Sequence, residues 1–238
     1  TCENVTVRGV RITTLGPNND GIDPDGCRNV VIEDCFLDTG DDCICLKAGR
    51  NEDGWAVGKP CENVIVRRCR TKRGHGGIVL GSEMSAGIRN VLVHDCQFEG
   101  TARGIRLKSR PGRGGALENL WFRDIVMDGV GSAIHMTLRY AGDGSDRDRL
   151  PMFRNIHISN VSCKKARVAV EMFGLPDADA ISDVTMEDVA IRCQTGLRAE
   201  YVRNVCLTRL KLEADQSPTM RLLNCRDVTV EQSRCAEG

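Results

Sequence analysis

The chain has 238 residues, of which 41% are hydrophobic and 28% charged, and its 33 Lys+Arg balance 33 Asp+Glu. These values suit a globular domain with a sizeable core and exclude wholesale disorder; the zero net charge lacks the basic excess of a general nucleic-acid binder. No run approaches the roughly 18 apolar residues of a membrane-spanning helix, so neither nucleic acid nor membrane is expected as a partner.

A strand-like motif recurs along the chain: NVTVRGVRI at 4–12, NVVIEDCFL at 29–37, NVIVRRCRT at 63–71, NVLVHDCQF at 90–98, NLWFRDIVM at 119–127, NIHISNVSC at 155–163, DVTMEDVAI at 183–191, NVCLTRLKL at 204–212 and DVTVEQSRC at 227–235. Its first residues lie 25, 34, 27, 29, 36, 28, 21 and 23 apart. A constant motif at elastic intervals is a fixed frame carrying loops of variable length. One and three residues after each anchor every copy is apolar, the alternation of a half-buried strand. Two further inward columns stand two before and six after the anchor, and a further strand follows in early copies at 44–46, 78–80, 105–107 and 134–136.

Three short strands per turn of roughly 20–35 residues, with no helical periodicity, predict an all-β fold: a single right-handed parallel β-helix over 1–238, about nine coils stacked at roughly 4.8 Å. The anchors then form an Asn ladder at one corner. The leucine-rich solenoid is disfavoured because its LxxLxL signature is missing. The chain opens on a strand and stops within a coil, so N-terminal coils and a cap are expected to be missing.

Thirteen cysteines is an odd number, and none forms a CxxC or a zinc-finger spacing. Cys35, Cys69 and Cys96 share one inward column and Cys2, Cys27 and Cys61 another, which predicts small buried hydrophobes, with a disulfide between stacked neighbours as the alternative.

The third strand and its leading turn carry a different signal. Successive coils read Asn18-Asn19-Asp20-Gly21-Ile22, Gly40-Asp41-Asp42-Cys43-Ile44, Gly74-His75-Gly76-Gly77-Ile78 and Gly104-Ile105-Arg106-Leu107-Lys108. Aligning Ile22, Ile44, Ile78 and Ile105 places Asp20 beside Asp42, His75 beside Asp41, and Arg106 and Lys108 on the same outward strip. Each motif alone reads as turn chemistry or a solvated face; their common register is what points to a site. Strict alternation sends Asp41 and Asp42 to opposite faces, so both reach the groove only if the chain bends near Gly40. Crowded carboxylates raise the pKa of one of them, which can act as a general acid while the others hold a water, the equipment of inverting glycoside hydrolysis. Arg106 and Lys108 suit a substrate carrying its own carboxylate, and Arg103 and Arg110 extend the basic stretch.

These residues resemble the four signatures of glycoside hydrolase family 28, the polygalacturonases and their relatives: Asn18-Asn19-Asp20, Gly40-Asp41-Asp42, Gly74-His75-Gly76 and Arg106-Leu107-Lys108. NNDGIDPDGCRNVVIEDC, DTGDDCICLKAGRNEDG and RGHGGIVLGSEMSAGIRNV are similar to the bacterial exo-acting branch. The resemblance implies Asp41 as general acid, Asp20 and Asp42 holding the water, and His75 against the acid. Arg106 and Lys108 would bind a galacturonate carboxylate, and Tyr140 matches by position a substrate-binding tyrosine of the family. It implies no metal and no cofactor, and a pectic polysaccharide or oligogalacturonide as substrate. Asn19 stands where the family carries Thr, and Leu107 where it carries Ile. The segments 49–60 and 139–151 are candidate walls of a groove closed at one end. Two other readings stand beside this one: a calcium-dependent pectate lyase-like β-helix, and a carbohydrate-binding β-helix without turnover. The family is mostly exported, whereas the thiol usage leans towards a reducing compartment; localisation and oligomeric state stay open.

Overall fold

The computed structural model describes residues 1–142, 148–176 and 178–237. The fold is a parallel β-helix, and the chirality of asparagine's backbone tolerance explains its coil. The anchors Asn4, Asn29, Asn63, Asn90 and Asn119 have φ of 56–57°, and Asn155, Asp183, Asn204 and Asp227 have φ of 51–57°. Left-handed backbone is costly for most L-residues, but Asn and Asp visit it because their short polar side chains bond locally. Here the bonds run between coils. Each amide Nδ2 donates to the Oδ1 of the coil before it, from Asn29 on Asn4 (3.0 Å) through Asn63 on Asn29 (3.0 Å), Asn90 on Asn63 (3.2 Å) and Asn119 on Asn90 (3.1 Å) to Asn155 on Asn119 (2.7 Å). The predicted ladder is therefore a column of hydrogen-bonded corners.

A second left-handed corner, which the alternation does not predict, lies five residues after each anchor: Gly9, Asp34, Arg68, Asp95, Asp124, Asn160, Asp188, Arg209 and Gln232. It accounts for the shift of inward positions from one and three after the anchor to six.

Between the corners run three parallel sheets. The first stacks Glu3–Arg8, Arg28–Glu33, Cys61–Arg67 and the leading part of Ile88–Glu99, and continues to Arg203–Thr208 and Arg226–Glu231. The second stacks Arg11–Thr14, Phe36–Thr39 and Arg70–Arg73 and continues to Lys211–Ala214 and Arg234–Glu237. The third holds the register Ile22, Ile44, Ile78, Ile105, Ile134, Val170, Leu197 and Met220. Inside lies one continuous apolar core in which Phe98, Phe122 and Phe153 are fully buried.

All thirteen cysteines are free thiols. Cys35, Cys69 and Cys96 are buried in their column, as are Cys27 and Cys61 in theirs; Cys2 is exposed because its strand is covered on one side only. Contrary to the all-strand expectation, the insertion 49–60 holds a helix, Asn51–Val57. It is too short to show an apolar stripe; Glu52 and Asp53 favour its first turn and Gly58, at φ 62°, closes it. Among the described residues no helix is long and apolar enough to cross a membrane.

Candidate active site

The register of the third sheet sorts its groove side into columns. Two residues before the aligned inward position stand Asp20, Asp42, Gly76, Arg103 and Ser132; one residue after it, Asp23, Cys45, Val79, Arg106, His135 and Glu171; three residues after it, Asp25, Lys47, Gly81 and Lys108. Acidic coils are thus separated from a basic coil by one whose groove side is Gly, Val and Gly.

The required bend occurs over residues 40–43, outside any strand. A side chain at Gly40 is excluded, since its Cβ would lie 2.0 Å from the Gly16 carbonyl oxygen. Thr39 Oγ1 donates to the Asp41 carbonyl (2.7 Å), and the Asp42 amide donates to Asp41 Oδ1 (2.9 Å). Asp41 and Asp42 consequently leave the alternation on the same side. His75 donates its backbone N–H to the Asp41 carbonyl (3.0 Å), and its Nδ1 lies 2.8 Å from Asp41 Oδ1. The Asn19 carbonyl accepts the Asp41 N–H at 3.1 Å, a backbone contact that the departure from the family pattern at this position leaves intact.

Asp42 is 3% exposed and receives Lys108 Nζ at 2.7 Å and Arg106 Nη1 at 3.2 Å. Both cations come from the second strand along the stack, and they reach because Gly76 lies between: a Cβ there would lie 2.3 Å from Val79 Cγ2 and already touch Asp42 Oδ1 (3.4 Å) and Arg106 Cδ (3.6 Å). Burial pushes the Lys108 ammonium down, but the charge of Asp42 outweighs it and holds Lys108 above the usual lysine value. Tyr140 covers the pair, its ring centre 5.1 Å from Lys108 Nζ and 5.7 Å from Arg106 Cζ. All seven residues singled out in the sequence therefore gather in one patch.

Sequence reasoning missed Lys47 and Asp23. Lys47 Nζ lies 2.9 Å from Asp20 Oδ2 and also holds Asp23 Oδ2. The signal was available, since Lys47 falls in the column of Lys108. Burial raises Asp20, but hydrogen bonds from Asp23 and Lys47 outweigh it, so Asp20 titrates below the usual aspartate value. Burial, then the hydrogen bond with Asp20, pushes Asp23 up to about 7. The carboxyl that is raised is thus Asp23, first by burial and then by its bond with Asp20; it lies outside the expected trio, and Asp20 stays ionised. Among the described residues two groups bring donor atoms within 4.8 Å of one another, Asp20 with Asp23 and Cys45, and Asp41 with Asp42 and His75. In each, a lysine or arginine nitrogen already lies on a carboxylate oxygen.

The two candidate walls meet beside this patch. Trp55 of the short helix donates Nε1 to the Arg113 carbonyl (2.9 Å), and Arg149 stacks over its ring at 4.0 Å. Residues 143–147 of the second wall lie outside the described residues.

The chain matches the model of glycosyl hydrolases family 28 over residues 1–211. The chain belongs to this family. Among relatives, a probable polygalacturonase of Vitis vinifera is 32% identical over 91% of this chain and 45% of its own length. The exo-poly-alpha-D-galacturonosidase of Dickeya chrysanthemi is 31% identical over 72% of the chain and 30% of its own length. The crystal structure of an exopolygalacturonase from Thermotoga maritima superposes with a TM-score of 0.76 at 37% identity, covering 84% of this chain and 45% of that one. The chain thus spans less than half the length of these family 28 relatives. All four signature motifs, and Lys47 and Tyr140 with them, lie within the matched residues.

Proposed function

We propose that this chain, as one β-helix domain over 1–238, hydrolyses α-1,4-galacturonosyl linkages of polygalacturonate or oligogalacturonides with inversion, taking units from chain ends. The observation that carries this reading is the division of labour among neighbouring carboxylates. Asp41 is held by His75 and meets no lysine or arginine among the described residues, whereas Asp20 and Asp42 each carry a cation of their own. A carboxylate paired with a cation stays ionised and can hold and deprotonate a water. Asp41 donates its proton to the glycosidic oxygen as the C–O bond breaks. The water held by Asp20 and Asp42 adds to the anomeric carbon from the opposite face and gives its proton to one of them, so Asp41 ends deprotonated and the base protonated, and proton exchange with solvent restores both before the next turnover. Arg106, Lys108 and Tyr140 form the wall that meets the negatively charged sugar. The end-acting mode is supported by the exo-acting names of the Dickeya and Thermotoga relatives.

The test is reducing-sugar release from polygalacturonate and oligogalacturonides by the wild-type chain and by Asp41→Asn. Asp41→Asn is expected to lose at least about three orders of magnitude in kcat. NMR of the first product should show the inverted anomer, and only monomer should be released. Near-normal activity of Asp41→Asn would remove Asp41 as the acid, and mixed oligomer products would remove end action.

A further inference from the structure

Arg103 shares the column of Asp42 and Gly76. Its Nε is buried and has no hydrogen-bond partner among the described residues, and its one side-chain hydrogen bond, Nη1 to the Ala102 carbonyl, is 3.5 Å long. Arg106 has the same unpartnered, buried Nε and engages Asp42 through Nη1 alone. The charge of Glu171 acts on Arg103, but Glu171 is already bonded by Ser132 Oγ (2.7 Å) and His135 Nδ1 (3.0 Å). Burial and then the charge of Arg106 push the Arg103 guanidinium below its usual range. Arg103, half-buried beside a like charge and without an ion pair among the described residues, is in an unfavourable setting that an anionic ligand shared with the free Nε side of Arg106 relieves. Lys108 is differently placed: its side chain is 8% exposed and its Nζ is turned onto Asp42.

We infer that Arg103 joins Arg106 in the fork that receives a carboxylate of the uronate substrate, in the same wall as Lys108, whose Nζ is also held on Asp42. This rests on the galacturonan-hydrolase reading and adds a residue to it. Arginine suits the role because its planar donors grip a carboxylate at two points, and a second arginine doubles the donors offered.

The measurement is the affinity of trigalacturonate, and of its methyl ester, for the chain carrying Asp41→Asn so that nothing is turned over. The same titrations are then made with Arg103→Gln or Arg103→Lys added. Arg103→Gln is expected to weaken the acid by about tenfold or more and leave the ester within about twofold; Arg103→Lys, which keeps the charge and loses the fork, falls between. In turnover, Arg103→Gln should raise KM with kcat within about threefold, whereas Lys108→Met should lower kcat instead. Thermal unfolding checks that each variant is folded; should Arg103→Gln fail to fold, Arg103→Lys carries the same comparison. Equal affinity of the acid for wild-type and Arg103 variants overturns this inference alone. A wild-type chain with no affinity for trigalacturonate and no hydrolysis overturns the hydrolase reading, and this inference with it.

Discussion

Lys108 Nζ and Asp42 Oδ2 meet at 2.7 Å although 66 residues separate them in sequence and a whole strand lies between them in the sheet. Strands stack at about 4.8 Å, so the two backbones stand roughly 10 Å apart and the lysine must cross the intervening coil. It can cross because the coil presents Gly76 and Gly81 there. A site built on three successive coils thus needs its middle coil to be small.

Removing the lysine head group leaves Asp42 buried with Arg106 alone. Lys108→Met is expected to lower the unfolding free energy by about 1–3 kcal/mol, because a buried charge loses part of its compensation. Asp42→Asn added to Lys108→Met should recover at least half of that loss, since the charge needing compensation is gone. Urea unfolding of the four members of the cycle measures the coupling. Strictly additive effects would mean that the ion pair contributes nothing to the fold.

Glu171 supplies an acid-sensitive element outside the proposed chemistry. Burial raises its carboxyl, but hydrogen bonds from His135 and Ser132 outweigh burial and bring it from 4.5 to about 2. A folded-state pKa below the unfolded one adds stability that is present above the unfolded value and lost as pH falls through the folded one. The window is therefore about pH 4.5 down to 2, and the contribution is up to about 3 kcal/mol. Glu171→Gln should show a shallower loss of urea midpoint over that window than the wild type. Parallel curves would contradict the assignment.

How much of this was legible in the sequence depends on what holds each residue in place. The anchor asparagines repeat because every coil turns left-handed there, so the frame could be read from them directly. The second corner tolerates Gly9, Asp34, Arg68 and Gln232 alike, and no single letter marks it. Asp41 and Asp42 could be placed in the groove only by assuming a bend, which Gly40 and the Thr39 hydroxyl supply. Asp20 looked like a bare carboxylate because its cation, Lys47, lies in the next coil, 27 residues on. Arg103 was visible as charge, but its lack of a partner is a property of the packed structure. The helix Asn51–Val57 was unreadable, since it docks through Asn51, Gly54 and Trp55 and carries no repeating apolar face.

Asp23 should oppose stability on the alkaline side. Its carboxyl is raised by burial and by Asp20 from 3.8 to about 7. A raised folded-state value means that the favourable contribution is full below about pH 3.8 and is lost as pH rises to about 7. Asp23→Asn keeps a donor for Asp20 and has no proton to lose. It is expected to be more stable than wild type at pH 8 by about 1–2 kcal/mol and to differ little at pH 4. Lys47→Met should act in the opposite direction at pH 8, leaving two adjacent carboxylates without their shared cation. Denaturation midpoints of the three chains at the two pH values decide it. A wild-type advantage over Asp23→Asn at pH 8 would show that Asp23 is held ionised.

The asparagine ladder gives the sharpest test of the frame itself. Asn90 sits at φ 57°, donates to Asn63 at 3.2 Å and accepts from Asn119 at 3.1 Å. Asn90→Ala puts a Cβ residue with no local hydrogen bond into left-handed backbone, at about 1–2 kcal/mol, and breaks both amide bonds, at about 1 kcal/mol each. A loss of about 2–4 kcal/mol is expected. Asn90→Gly relieves the backbone cost but not the amide loss, so it should fall short of alanine by about 1 kcal/mol. Asn90→Asp keeps the acceptor and loses the donor, and the chain already uses that arrangement where Asn204 donates to Asp183 at 2.6 Å. Aspartate should therefore be the mildest of the three. Urea denaturation at neutral pH gives the order, and if alanine proves no worse than aspartate, the corner is held by the apolar strands on either side of it and not by the ladder.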